Sequence, residues 1–147
     1  MTISRDNPFP AERPAVATRK NCLECCHGSA AEVQHCSSKG CPTWANRFGR
    51  KPTQEILAKA GGTKMYPLED GMTVAEFFKR GGTFLKAIKR FCLDCSGSSK
   101  SAVRDCSQTH CRFHRLRFGN NPNRKMSEEQ RVLAAARLGE CKAWTKK

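Results

Sequence analysis

Eight cysteines carry the strongest chemical signal in this 147-residue chain. Cys22, Cys25, Cys36 and Cys41 recur 70 residues later as Cys92, Cys95, Cys106 and Cys111, and both sets read Cys-x2-Cys-x10-Cys-x4-Cys. A Cys-x2-Cys turn presents two thiolates to one ion, and a second pair closes the tetrahedron from the other side, which is the sulfur cage Zn²⁺ takes. With all four corners filled by sulfur, no position is left for a water, so the sites are expected to be structural and not catalytic. Two structural Zn²⁺ ions are the expected cofactors. An iron–sulfur cluster on the same ligands, another metal, and disulfide pairing stay open as alternatives.

The repeat extends beyond the ligands. Of the 31 positions from Cys22 to Pro52, 12 are identical to their counterparts from Cys92 to Pro122, among them Ser29 and Ser99, Val33 and Val103, and Arg47-Phe48-Gly49 and Arg117-Phe118-Gly119. Duplication is the simplest origin. Cys26 and Cys141 stand outside the pattern, since the counterpart of Cys26 is Ser96, and they read as ordinary thiols. His27, His35, His110 and His114 have no histidine at their counterparts, so they read as surface groups or as neighbours of the ligands.

The elements that must position these residues are short. Ser29–His35 and Ser99–Asp105 each begin with serine and read as a capped turn of helix between the cysteine pairs. Thr53–Ala60 reads as a helix ending at Gly61-Gly62. Thr73-Val-Ala-Glu76 is a capping box opening a helix that stops at Gly81-Gly82. Phe84, Leu85, Ile88 and Phe91 form an apolar stripe delivering the chain into Cys92, with Lys86, Lys89 and Arg90 off the stripe. Ser127 and Gln130 form a further capping box, predicting a helix through Leu138 with a stop at Gly139. Phe48 and Phe118 read as covers over a small core in preference to base-stacking groups.

These elements predict a small, mainly α fold with irregular zinc-stabilised knuckles, in which tandem duplicated four-cysteine modules are joined by short helices. The expected divisions are a disordered arm at 1–17, a first four-cysteine zinc module at 18–52, a helical connector at 53–85, a second and basic four-cysteine zinc module at 86–122, and a helix and tail at 123–147. Only 38% of the residues are hydrophobic and 7% aromatic, a thin supply for a packed core, so metal ligation is expected to supply part of the stability.

Charge bears on partners. The formal net charge is +14, and two zinc sites of four thiolates, each carrying about −2, would leave about +10. A cationic protein of this kind suits a polyanion. Lys86–Lys125 holds ten basic residues against Asp94 and Asp105 alone, and the candidate phosphate contacts are Lys89, Arg90, Arg112, Arg115 and Arg117, interleaved with Phe113, His114 and Phe118. No reading helix or RNA-binding strand motif is visible, so backbone-dominated, salt-sensitive binding to DNA or RNA is the expectation. The N-terminus carries prolines and charges where an export signal needs an apolar run, and no stretch has membrane-span length. No membrane association is expected, and a reducing compartment is.

The stretch Lys86-Ala-Ile-Lys-Arg-Phe-Cys-Leu-Asp-Cys-Ser, with Val103-Arg104, Cys106, Cys111, Arg117-Phe118-Gly119 and Pro122, resembles short cysteine-rich zinc-module proteins encoded in bacteriophages and prophages. That resemblance implies a bacterial host cytoplasm and a small regulatory or host-interaction protein, and supplies no activity. The first module departs from the pattern at Cys26-His27. The leading expectation is therefore a zinc-stabilised nucleic-acid-binding protein that is not an enzyme. One alternative is a protein-interaction module for a host protein using Trp44 and Phe48. A metal-dependent nuclease drawing on His110, His114, Asp94 and Asp105 is the other.

Overall fold

The computed structural model describes residues 12–120 and 127–144. The described residues form seven α-helices: α1 (Pro14–Cys25), α2 (Ala30–Gln34), α3 (Gln54–Ala60), α4 (Val74–Lys79), α5 (Phe84–Cys95), α6 (Lys100–Arg104) and α7 (Glu128–Trp144). Short 3-10 turns lie at Leu68–Asp70 and His114–Leu116, and no strand is present among the described residues beyond a single bridge between Lys64 and Thr73. The protein is small and mostly helical, and none of these helices is long and apolar enough to cross a membrane.

Local chemistry sets most of the helix starts. Thr53, Thr73 and Thr83 accept hydrogen bonds from the amides of Ile56, Glu76 and Lys86, and Glu76 returns the bond to Thr73, completing the capping box. Ser29 and Ser99 cap α2 and α6 in the same way through Glu32 and Ala102. Ser127 and Gln130 exchange the reciprocal bonds that open α7.

Two boundaries differ from the sequence expectation. α1 begins at Pro14, inside the segment expected to be a disordered arm, because Pro suits the first helical position and Ala17 and Thr18 are buried. Residues 1–11 lie outside the described residues. α7 does not stop at Gly139 but runs on to Trp144. A glycine weakens a helix by only about 1 kcal/mol, and a stop needs a left-handed residue with its capping bonds as well.

α1 and α5 are both 12 residues long, lie at the same 70-residue offset as the cysteines, and pack against each other. Their packing links two cores reciprocally. Ala17 of α1 joins Ile88, Phe113 and Leu116, whereas Ala87 of α5 joins Trp44, Ala45, Ala60, Met65, Val74 and Phe77. Each helix thus lends an alanine to the core around the other cysteine segment. The connector folds onto the first segment through Met65, Val74 and Phe77. Gly82 makes the turn into α5 feasible, since a Cβ there would sit 2.6 Å from the Phe77 ring. Arg112 ties the halves together from outside, bonding Glu24 of α1 at 2.6 Å and pairing with Glu12 at 3.6 Å.

The two cores differ where the sequence copies diverge. Positions occupied by Ile88, Phe113 and Leu116 around the second segment are Thr18, Thr43 and Asn46 around the first, and all six are buried. Thr18 bonds the Pro14 carbonyl at 2.8 Å. Asn46 is only 1% exposed, yet neither its amide nitrogen nor its oxygen has a partner. An unpaired buried amide costs about 1–3 kcal/mol. Asn46→Leu, which installs the residue found at the counterpart Leu116, should therefore stabilise the protein by roughly 1–2 kcal/mol. Denaturant unfolding is the check, and a destabilised variant would mean that the amide is satisfied in solution.

Candidate metal centre

The first cysteine pair of each set does not sit in a free knuckle turn, as the spacing suggests. Cys22 and Cys25 occupy the last turn of α1, and Cys92 and Cys95 the last turn of α5. Residues three apart share a helix face, so each pair points one way. Both helices then end identically. The amides of His27 and Gly28 bond the carbonyls of Glu24 and Leu23, and those of Gly97 and Ser98 bond Asp94 and Leu93. These are the 5→2 and 6→1 bonds of a Schellman cap. The chain passes through positive φ at His27 (54°) and Gly28 (81°), and at Gly97 (61°) and Ser98 (64°), which reverses it toward the second pair.

α2 and α6 carry the chain across, and Cys36 and Cys106 follow them directly. Tight turns bring back Cys41, whose amide bonds the Ser38 carbonyl, and Cys111, whose amide bonds that of Gln108, each at 3.0 Å. Cys22, Cys25, Cys36 and Cys41 wall one cavity of about 390 Å³, and Cys92, Cys95, Cys106 and Cys111 wall another of about 340 Å³. None of the nine described cysteines is in a disulfide. Cys141 lies where no side chain is described.

Burial raises the Cys22 thiol to about 12, and the neighbouring Cys41, Cys36 and Cys25 push the same way against a hydrogen bond from Thr43. Cys92 also stands at about 12, raised by burial and then by Cys111, Cys95 and Cys106, with Arg117 opposing. Burial likewise raises Cys41 and Cys111. Thiolates lining one cavity repel one another unless a cation sits among them, and a half-buried thiol of this kind ionises when it becomes a metal ligand. The donor chemistry of each set therefore fits Zn²⁺. The geometry is more open than the closed tetrahedron expected from spacing. Among the described residues no three His, Cys, Asp or Glu side chains converge as a ready metal site; a Zn²⁺ ion held by all four sulfurs at about 2.3 Å would require each set to draw inward.

Around each ring lies a shell of contacts that the spacing does not reveal. Arg47 is 6% exposed and donates to the carbonyls of Val33 (3.0 Å), Trp44 (3.0 Å) and Gln34 (3.3 Å). Arg117 repeats the pattern on Val103 (3.0 Å), His114 (2.6 Å) and Arg104 (3.4 Å). Each guanidinium satisfies the end of the short helix between the cysteine pairs, where carbonyls lack helical partners, and stacks 4.4 Å from Phe48 or Phe118. The positive charge faces the thiols: Cys36 and Cys22 favour the charged form of Arg47 against the opposing effect of burial.

Trp44 and His114 occupy equivalent places. Trp44 donates its indole N–H to the Cys36 carbonyl at 2.9 Å, and His114 Nε2 lies 3.0 Å from the Cys106 carbonyl. A carbonyl only accepts, so Nε2 carries the proton and Nδ1 is left to accept from Arg117 at 3.4 Å. Thr43 reaches the Cys41 sulfur at 3.3 Å. No family model, curated protein or solved structure matches the chain.

The five candidate phosphate contacts separate into two groups. Arg90 is held by Asp70 at 2.6 Å and by the Met65 and Pro67 carbonyls, Arg112 by Glu24 and Glu12, and Arg117 by three carbonyls. Their guanidiniums are engaged within the fold. Lys89 is exposed, and the Nε of Arg115 is buried without a partner. Trp44 is 3% exposed and anchors the connector core, so it offers no surface to a partner protein. Both nitrogens of His114 are engaged, which removes it as a nuclease base.

Proposed function

We propose that this is a zinc-stabilised nucleic-acid-binding protein with two tandem modules. Cys22, Cys25, Cys36 and Cys41 hold one Zn²⁺, and Cys92, Cys95, Cys106 and Cys111 hold the other. The observation that carries the reading is that two four-cysteine rings at one sequence offset share the same helix-borne first pair, the same capping bonds and the same inward arginine. The metal is structural, since every ligand is sulfur. A regulatory role in a bacterial cytoplasm, for a protein of phage origin, is part of the same proposal.

Nucleic acid is supported by the +14 charge and by cations that the fold leaves unspent. Lys89 and Lys100 are exposed, and Arg115 is half-buried. Binding dominated by phosphates releases counterions and weakens linearly in log salt. Lys89→Ala with Arg115→Ala should weaken binding to DNA or RNA uniformly and reduce the salt slope by about 2. Fluorescence anisotropy across a salt series checks this, and an unchanged slope would reject these residues. Arg90→Ala, in contrast, should lower stability and leave the slope alone.

A second reading has one observation in its favour. Val132, Leu133 and Leu138 on α7 are each about 60% exposed, apolar side chains spread around the helix that a protein partner would cover. A nuclease-resistant complex with a host protein, lost on Leu133→Glu, would support it.

A further inference from the structure

The two cysteine cavities differ in one respect that charge and repeat alone do not explain. The first is closed on one side by the connector, which places Tyr66 in its wall. The Tyr66 amide bonds the Gly40 carbonyl at 2.8 Å, and its ring lies so close that a Cβ on Gly40 would meet Cε2 at 2.9 Å. Beside it Ala45 packs into the connector core. The second cavity is walled only by residues between Phe91 and Arg117, so no described segment takes the place that Tyr66 has on the first. The residues at that face have changed to match. Gly40 is replaced by His110, Ser38 by Gln108 and Ala45 by Arg115.

We propose that the open mouth of the second cavity seats a nucleobase of a single-stranded nucleic acid, in the position that the Tyr66 ring occupies on the first. This deepens the proposed function and rests on it. The ring of a base has the flat apolar faces that the Tyr66 ring presents, and stacking of this kind is sequence-tolerant. Gln108 and His110 are exposed and line the mouth, where they can bond base edges. Lys100, on the helix whose Val103 lines the same cavity, is exposed and can meet the phosphate of a seated nucleotide. A duplex cannot enter the mouth without unstacking, which costs a few kcal/mol, so single strands are preferred. A protein aromatic would fit the same space but would bring no phosphate to the exposed cations around it.

The test uses the full zinc-loaded chain, a fluorescent oligothymidylate and its duplex with oligoadenylate. The wild-type protein should prefer the single strand. A Gln108→Ala, His110→Ala variant, both positions being exposed, should lose about 5- to 150-fold in single-strand affinity, the range for two hydrogen bonds to the base edge, while retaining zinc and its circular dichroism. Lys100→Ala should add to that loss and reduce the salt slope. Equal affinity for single strand and duplex, or unchanged affinity in the double variant, would overturn the base seat while leaving nucleic-acid binding standing. Absence of binding to any nucleic acid by the wild-type chain would reject the functional reading itself, and the seat with it.

Discussion

Protein purified without added metal should contain about two zinc ions per chain, and stripping them with a chelator should abolish the cooperative unfolding transition. Structural zinc supplies roughly 10–16 kcal/mol per site in small modules, whereas a domain of this size has a net stability of about 5–15 kcal/mol. Removing both ions therefore exceeds what the core can hold. The two buried clusters are small, and the first contains Thr18, Thr43 and Asn46 where the second has Ile88, Phe113 and Leu116. Cys22→Ser or Cys92→Ser should each lower zinc content to about one, since each removes a buried sulfur from its ring. Cys26→Ser should leave it at about two, because Cys26 lines the first cavity but its counterpart is Ser96. Metal analysis, an absorption spectrum and circular dichroism read these outcomes together. Iron with visible absorption would replace zinc by a cluster on the same thiols, and a metal-free chain with a sharp unfolding transition would overturn the metal reading.

Arg47→Ala should be among the most damaging substitutions outside the cysteines, at about 2–4 kcal/mol, as should Arg117→Ala. The magnitude follows from what is left behind. Each arginine donates to three carbonyls; those of Val33, Trp44 and Val103 also accept backbone amides, so the loss falls on the carbonyl of Gln34, or on those of His114 and Arg104, at about 1–3 kcal/mol for a buried group left unpaired. The stack on Phe48, at 4.4 Å, and for Arg47 on Trp44, at 4.3 Å, is lost as well. Arg47 is the more sensitive because it is 6% exposed. Lysine should not rescue either site, since one ammonium cannot reach three carbonyls in a planar fork. Denaturant unfolding of the zinc-loaded variants measures the cost. Arg47→Lys with wild-type stability would show that charge beside the thiols matters and the fork does not.

These two arginines mark the line between what the chain announces and what it conceals. Arg-Phe-Gly is visible twice in the sequence, and its recurrence signals a constrained position. Its use is not visible, because a guanidinium that caps a helix 14 residues upstream and one that waits for phosphate look alike in a sequence. The same ambiguity places Arg90 and Arg112 among the phosphate contacts. Their partners, Asp70 and Glu24, lie 20 and 88 residues away, and only folding brings them near. Trp44 is ambiguous for the same reason: an aromatic beside a cysteine reads equally as surface anchor or core, and the decision rests with Met65 and Val74 of the connector.

By itself the sequence determined the two cysteine frames and their offset, the serine and threonine caps of α2 to α7, the glycine breaks around the connector and the excess of positive charge. All of these are local or compositional: a cap needs a hydroxyl three residues from an amide, and a ligand set needs a spacing. The tertiary structure alone decided that the first cysteine pair of each set rides on a helix, that α1 and α5 exchange Ala17 and Ala87 between the two cores, and that Tyr66 covers one cavity and leaves the other open. Those outcomes depend on which surfaces meet across the 70 residues between the copies. Nothing in a local pattern of residues encodes that distance.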